Sequence, residues 1–589
     1  MSLLKSLGII AASSFLFSTV NAGERAASTS INIISAEDIA EIKPKSVSDI
    51  LSTQPGVVVQ QLGPNGDVNI SLRGMQFTQT ALIIDGVKVK YTGQQFLDKI
   101  PPESIESIKV VKGPQAVAYG SSAQGGAIVI TTKRASKEEI YGSLTLESGS
   151  DELFRQNANI GLKEGDFDLF LNIGHVEQNS KTQLTGDSEG DDYRNRNLSF
   201  AAGYQISENV RFEVNGLFID ADSEGDDSGY LDLIEPRTAG FTLDGDEVIM
   251  RHNLVNTALK MTDILGLGWN SNISYSYQDV SSLVDDYFKG GVQSINWDNT
   301  VSWEKHLFSF GFEHEWERFK YDYFDGIEKR NTQTYYIGDH IVLNGNWNLD
   351  LYLGYVVDSK SSDEWVYSIA SDYTIGDTTF RAAYGRSFRN ASLFELEDIF
   401  YGNDLRAEKT DSLEIGIDHK FCDDLSASIS YFYSETDDPI MFDGSFNEFV
   451  QQDKSRTSGF EAQVMWQALE QLKLMASFAH YHTEVDIPRD KDARSPWIPA
   501  NTIGFTAIWS PIKNLDAALD VTYYGNRKGQ ASGFTEDKFV LTNLSISYDI
   551  TENIEIYGRI RNLLDEDYAY VTGFETNERS FLGGVTYRF

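Results

Sequence analysis

The sequence predicts an all-β transmembrane barrel of about 22 antiparallel strands, with a small N-terminal α+β plug domain inside the lumen. Three observations carry that expectation. A period-two alternation of apolar and polar residues runs from about residue 140 to Phe589. Aromatic residues make up 12% of the chain and prolines number only 12, so long strands meet few breakers. A compact stretch of different pattern, "IESIKVVKGPQAVAYGSSAQGGAIVITTK", precedes the alternation at residues 105–133.

At the N-terminus, Lys5 stands before the apolar run Leu7–Val20, and "VNA" follows. A basic start, a short apolar core and a small-residue cleavage point predict a secretory signal over residues 1–22. The 14-residue run falls short of the ~20 residues a spanning helix needs. Residues 23–30 form a short segment, and residues 31–134 read as the plug domain. "SINIIS" is strand-like. "SAEDIAEI" and "SVSDILS" each begin Ser-x-x-Asp, where the serine side chain caps the free N–H groups of a helix start. "ALIIDGVKV", "IESIKVVKG" and "GAIVITTK" follow as short strands.

The barrel is expected over residues 140–589. Odd positions are apolar in "FDLFLNIGHV" (Phe167, Leu169, Leu171, Ile173) and in "SASISYFYSE" (Ala427, Ile429, Tyr431, Tyr433). "TNLSISYDI" sets Leu544, Ile546, Tyr548 and Ile550 against Ser545, Ser547 and Asp549. "IEIYGRIRN" sets Ile554, Ile556 and Ile560 against Glu555, Arg559 and Arg561. Strands with one apolar and one polar face alternate in this way. A soluble sandwich would alternate too, but so long a run of hairpins without a helix exceeds one sandwich. At roughly 20 residues per strand and connection, the region holds about 22 strands, an even number as bacterial barrels require. A lumen that wide is not filled by its own side chains, and the compact N-terminal unit is the natural filler.

The formal charge of −39 excludes a nucleic-acid partner, which needs a basic footprint. One cysteine, Cys422, excludes an internal disulfide and any cysteine-built metal site.

Several stretches carry a family resemblance. "PGVVV" (55–59), "ISLRGM" (70–75), "IIDGV" (83–87) and the stretch 105–133 resemble, in order and spacing, the plug domain of TonB-dependent outer-membrane receptors. "RNLLDEDYAYVTGFETNERSFLGGVTYRF" (561–589) is similar to that family's final hairpin. The resemblance implies a monomer in bacterial outer-membrane lipid that takes up a scarce small-molecule metal chelate. The ligand binds outside, a TonB-type energy-transducing complex pulls on the N-terminal end of the plug, and the lumen opens. Members usually carry a coupling segment ahead of the first plug strand, whereas only "GERAASTS" separates Ala22 from "INIIS" here.

The resemblance also implies sites. Family plugs are held by two cations on two barrel glutamates, and the matching positions are Arg73, Lys112, Glu414 and Glu461. Lys112 stands where arginine is usual, which removes a bidentate contact. Ligand contacts are expected from upper plug loops, at Gln60, Gln61, Asn65, Tyr91, Gln94 and Gln95. Two acidic segments, 186–197 and 220–232, offer Asp187, Glu189, Asp191, Asp192, Asp222, Glu224, Asp226 and Asp227 as oxygen donors for calcium. The first segment matches the position of calcium-binding aspartates in cobalamin receptors of this family. Residues 385–409 resemble the paired boxes of haem and siderophore receptors, without the histidine that haem receptors place between them. His480 and His482, two apart on one strand, form a candidate metal pair that is more simply read as lumen-facing.

A gated receptor for cobalamin or another corrinoid is therefore expected, with a ferric-siderophore receptor or a passive porin as alternatives. An enzyme is not expected: "HEWER" (314–318) lacks the second histidine of a zinc-protease motif, and no nucleophile elbow is present.

Overall fold

The computed structural model describes residues 30–63, 65–90, 96–181, 190–225, 246–283, 287–321, 326–396, 405–443, 448–486, 495–528, 535–571, 574 and 576–589. The signal segment and residues 23–29 lie outside this set.

Residues 140–588 build one closed barrel of 22 strands, each pairing antiparallel with its neighbours. Closure joins the strand Ser580–Arg588 to the strand Ile140–Gly149, and Phe589 and Gly142 exchange two backbone hydrogen bonds of 3.0 and 2.9 Å at the seam. Alternation sets the two faces. Ile173 is 52% exposed beside Asn172 at 0%, Ile429 50% beside Ser430 at 5%, and Ile546 46% beside Ser545 at 4%. Apolar side chains out and polar side chains in are the reverse of a water-soluble sandwich and match a lipid-facing wall. Tight turns such as Glu164 to Phe167 and Ile375 to Thr378 close one rim, and the longer connections lie at the other.

The plug has two sheets. β1 (Ile31–Ser35), β6 (Ile105–Lys112), β7 (Gly126–Thr132), β4 (Thr80–Ile84) and β5 (Val87–Lys88) lie side by side in that order. Only β4 and β7 run parallel. β2 (Val57–Gln61) and β3 (Val68–Leu72) form a separate hairpin that the sequence reading did not assign. Both expected helices form, α1 (Ala36–Ile42) and α2 (Val47–Ser52). Ser35 accepts from Asp38 N (3.1 Å) while the Asp38 carboxylate accepts from Ser35 N (3.0 Å), so two free N–H groups are satisfied reciprocally.

The plug core continues into the barrel wall. Ile50, Leu51, Ile70, Leu97 and Ile105 share one buried cluster with Leu217, Ile219, Ala221, Met250 and Leu254 from barrel strands Val210–Gly225 and Asp246–Ile264. The plug therefore sits inside the lumen, held partly by burial of apolar surface.

Candidate functional site: the plug–barrel interface

The backbone at the end of β3 aims one cation at two strands of the wall. Arg73 takes a left-handed conformation (φ 54°), and its N–H donates to Gly56 O (2.9 Å). The side chain then reaches Glu414 on strand Glu408–Cys422 (2.8 Å) and Glu461 on strand Lys454–Leu469 (3.3 Å). Its guanidinium also lies 4.8 Å from the centre of the Phe432 ring. Lys112, at the end of β6, donates to Glu461 Oε2 (2.9 Å) and to Pro55 O (2.8 Å). The four side chains are at most 5% exposed. Burial alone would lower the Arg73 pKa, but Glu414 and Glu461 outweigh it and hold the guanidinium above its ordinary value. Burial does pull Lys112 down, because Glu461 compensates only in part and Arg73 opposes.

Two glycines make room for this cluster. Gly56 (φ 74°) and Gly113 (φ 83°) are left-handed, and a Cβ on either would overlap the carboxylate of Glu461 or Glu414. Glu414 further accepts from Ser30 Oγ (2.7 Å) and Arg381 (3.0 Å). The expected quartet is thus brought together, with Ser30 and Arg381 as partners that sequence reasoning missed.

Three further contact sets hold the plug. Lys88 pairs with Glu313, and Lys90 pairs with Glu315 and, at 3.3 Å, with Glu317. Those glutamates occupy every second position of one strand, so all face inward. Asp49 of α2 meets Arg561 (3.1 Å) and Arg559 (3.2 Å) on strand Ile554–Arg561. Burial would raise Asp49, but the two arginines hold it down to about 2. The third set explains the paired boxes. Arg389 donates to Glu408 from two nitrogens (both 3.0 Å) and to Glu395 (2.8 Å) in the short helix α3 (Leu393–Leu396). Glu408 also accepts from the plug amides Gln79 (3.1 Å) and Gln124 (3.0 Å). The boxes here build a buried clamp onto the plug.

Other expectations fare differently. Gln60 and Gln61 belong to β2 rather than a loop, and Gln60 is only 5% exposed, because hairpin pairing with β3 turns it inward. Asn65 does lie in the turn between β2 and β3; Tyr91, Gln94 and Gln95 lie outside the described residues. Among the calcium donors, Asp187, Glu189, Asp226 and Asp227 lie outside them, as do the side chains of Asp191 and Glu224. Asp192 accepts from Asn179 (2.8 Å), and Asp222 lies 3.9 Å from Arg194. Pairing of Tyr193 with Ser223 makes the two acidic segments leave neighbouring strands at one rim. His480 and His482 are not lumen-facing. Tyr481 between them is the inward residue at 2% exposure, while His480 packs on Phe460 and His482 bonds Glu484 on the outer face. Among the described residues no group of three or more histidine, cysteine or acidic side chains is arranged for a metal.

Comparison with known proteins agrees with this geometry. Residues 142–563 match the family model described as "TonB dependent receptor-like, beta-barrel", and residues 24–127 match "TonB-dependent Receptor Plug Domain". The chain is 24% identical to a vitamin B12 transporter of Photobacterium profundum and 25% identical to one of Vibrio vulnificus, covering 95% of this chain and 92% of each relative. Among solved structures, a siderophore receptor of Acinetobacter baumannii superposes with a TM-score of 0.82 at 16% identity, covering 95% of this chain and 98% of that one. A ferric enterobactin receptor of Pseudomonas aeruginosa superposes with a TM-score of 0.79 at 16% identity, with the same coverage.

Proposed function

Because this chain belongs to the TonB-dependent receptor family of the bacterial outer membrane, we propose that it takes up cobalamin or another corrinoid by energised opening of its plug. One observation carries the choice of ligand: similarity to vitamin B12 transporters runs along 95% of the chain, plug and barrel together. The likeness to siderophore receptors in solved structures, at 16% identity, speaks for the fold and not for the ligand.

The geometry supports a stepwise release. β1 is an edge strand of the plug sheet, and Ser30 immediately before it touches the Glu414 carboxylate (2.7 Å) while its carbonyl accepts from Lys112 N (3.0 Å). Tension from a TonB-type complex on residues 23–29 reaches Ser30 first. It peels β1 from β6 and withdraws a hydrogen bond from Glu414 before the apolar core is strained. Arg73, Lys112, Glu414 and Glu461 act as the lock that keeps the plug seated until then. Upper plug residues, including Asn65, Tyr91, Gln94 and Gln95, contact the ligand from the side of the long connections. Calcium binds where the two acidic segments leave neighbouring strands, with Asp192 and Asp222 among its oxygen donors.

Calorimetry on the purified protein with cyanocobalamin and with ferric chelates, each with calcium or a chelator, tests this reading. Binding of cyanocobalamin, tighter with calcium, is expected. Heat from a ferric chelate and none from any corrinoid would move the ligand to the siderophore class.

A further inference from the structure

The wall facing the plug changes chemistry around the barrel. Ion pairs hold the plug on strands Glu408–Cys422 and Lys454–Leu469, and apolar side chains hold it on Val210–Gly225 and Asp246–Ile264. The three neighbouring strands Phe154–Glu164, Phe167–Lys181 and Gly190–Ser207 are different. Their inward positions carry Asn157, Asn172, Gln178, Asn195 and Asn197, all buried. Gly174 pairs with Asn157 on one side and Asn197 on the other, so no side chain stands between the two amides. A cleft opens beside Asn157, Gly174, Asn195 and Asn197 between wall and plug, with Lys45, Asn65 and Lys99 on the plug side; Asn172, two residues from Gly174, lies beyond its lining on the same strand.

Several of these amides lack protein partners. Both amide atoms of Asn157 and Asn172, and Oδ1 of Asn195 and Asn197, make no hydrogen bond, although the four residues are 4%, 0%, 2% and 6% exposed. Buried polar atoms in that condition are costly unless water or a ligand satisfies them. Direct links across the cleft end on neutral groups, from Asn195 Nδ2 to Lys99 O (2.9 Å) and from Lys45 to Gln178 Oε1 (3.0 Å). The ion pair of Arg155 with Glu103 of the plug marks its edge.

We propose that this amide-lined seam is hydrated and is the route by which a neutral solute bearing amide or hydroxyl groups passes the plug. The proposal rests on the uptake reading above and adds to it the wall along which passage occurs. An asparagine wall offers a donor and an acceptor at each step. It exchanges water for ligand groups one at a time, and the amides themselves carry no charge to trap them, although Lys45, Asp98, Lys99, Arg155 and Arg561 also line the cleft. The apolar wall stays attached and keeps the plug in register while the ion-pair wall releases and the seam widens.

Cysteine accessibility tests the seam in the full-length protein in outer-membrane vesicles. Cys422→Ser first removes the chain's only thiol, which is exposed. Asn172→Cys and Asn197→Cys are then compared with Thr410→Cys, a lumen-facing position at 0% exposure on the lock wall. A small charged methanethiosulfonate reagent is expected to modify the two seam positions and to leave Thr410→Cys untouched. Equal protection of all three would overturn the proposal. In cells lacking other corrinoid receptors, a combined Asn157→Leu, Asn172→Leu, Asn197→Leu variant should still bind cyanocobalamin. Its uptake should fall about tenfold, the rate cost of one ligand hydrogen bond left unmade in transit. Unchanged uptake would also overturn the route. If the native protein binds no corrinoid, the ligand assignment fails by itself, and labelling still decides whether the seam is wet.

Discussion

Glu461 is the residue on which the buried ion-pair cluster between plug and wall turns, since Arg73 and Lys112 both end on it. Glu461→Gln would remove the carboxylate charge that Lys112 and Arg73 share, leaving Arg73 paired with Glu414 and Lys112 on neutral acceptors such as the Pro55 carbonyl. Removing one partner of a buried ion pair costs about 3–5 kcal/mol, so the plug of this variant should be released at markedly lower urea, read by protease cleavage within residues 31–134. Ser30→Ala removes the hydrogen bond donated to Glu414 (2.7 Å) and the one accepted from Arg381 (3.2 Å), each worth about 1 kcal/mol, and should shift the same transition less. Gly113→Ala would place a methyl group against the Glu414 carboxylate at a left-handed φ and should destabilise the seat although it changes no charge. At this scale the quartet was legible because "LRG", "KGP", "SLEIG" and "SGFEA" stand in family order. The Lys88 and Lys90 pairs were missed although their signal was present: "EHEWE" repeats glutamate at every second residue, which in a strand faces one side. Its resemblance to a zinc motif, which lacks the second histidine here, draws the eye from that period.

Elements couple plug to wall in ways that respond to pH. Asp49 at the start of α2 sits at about 2, below its ordinary 3.8, held by Arg561 and Arg559 against burial. A carboxylate lowered in the folded state stabilises fully above its unfolded value and loses that contribution as pH falls through the folded one. The docking of α2 on strand Ile554–Arg561 should therefore weaken between about pH 4 and pH 2, by about 2 kcal/mol in all. Hydrogen exchange of α2 amides should show this, and Asp49→Asn should lose the pH dependence over that window. Arg389→Ala at the paired boxes would leave Glu408 and Glu395 buried without their cation. It should loosen the upper plug at Gln79 and Gln124 and should alter corrinoid affinity less than plug retention; a large loss of affinity with the plug firmly held would return the boxes to ligand binding. Barrel strands were legible because one face meets lipid and the other water, so the pattern is local. The hairpin of β2 and β3 was not, because Gln60 and Gln61 look like loop residues until pairing and the surrounding lumen bury them. His480 and His482 were turned to the wrong face for a related reason. The strand's inward position is taken by aromatic Tyr481, which fills the lumen beside Phe432 and Tyr524.

The whole molecule is a wide cylinder with the plug packed inside its lumen, and the contacts between them differ from strand to strand of the wall. Ion pairs, an apolar patch and an aromatic cluster hold the plug on several strands, and buried amides line the wall of strands Phe154–Glu164, Phe167–Lys181 and Gly190–Ser207. Neither the seam nor the clamp at Glu408 was visible in the sequence, since each depends on which wall positions meet the plug across the lumen. Electrical conductance in a planar bilayer tests the seal most directly. The intact protein should leave the membrane almost silent, and a variant lacking residues 31–134 should produce a large, steady current. A wide, constant pore from the intact chain with its plug in place would contradict the account.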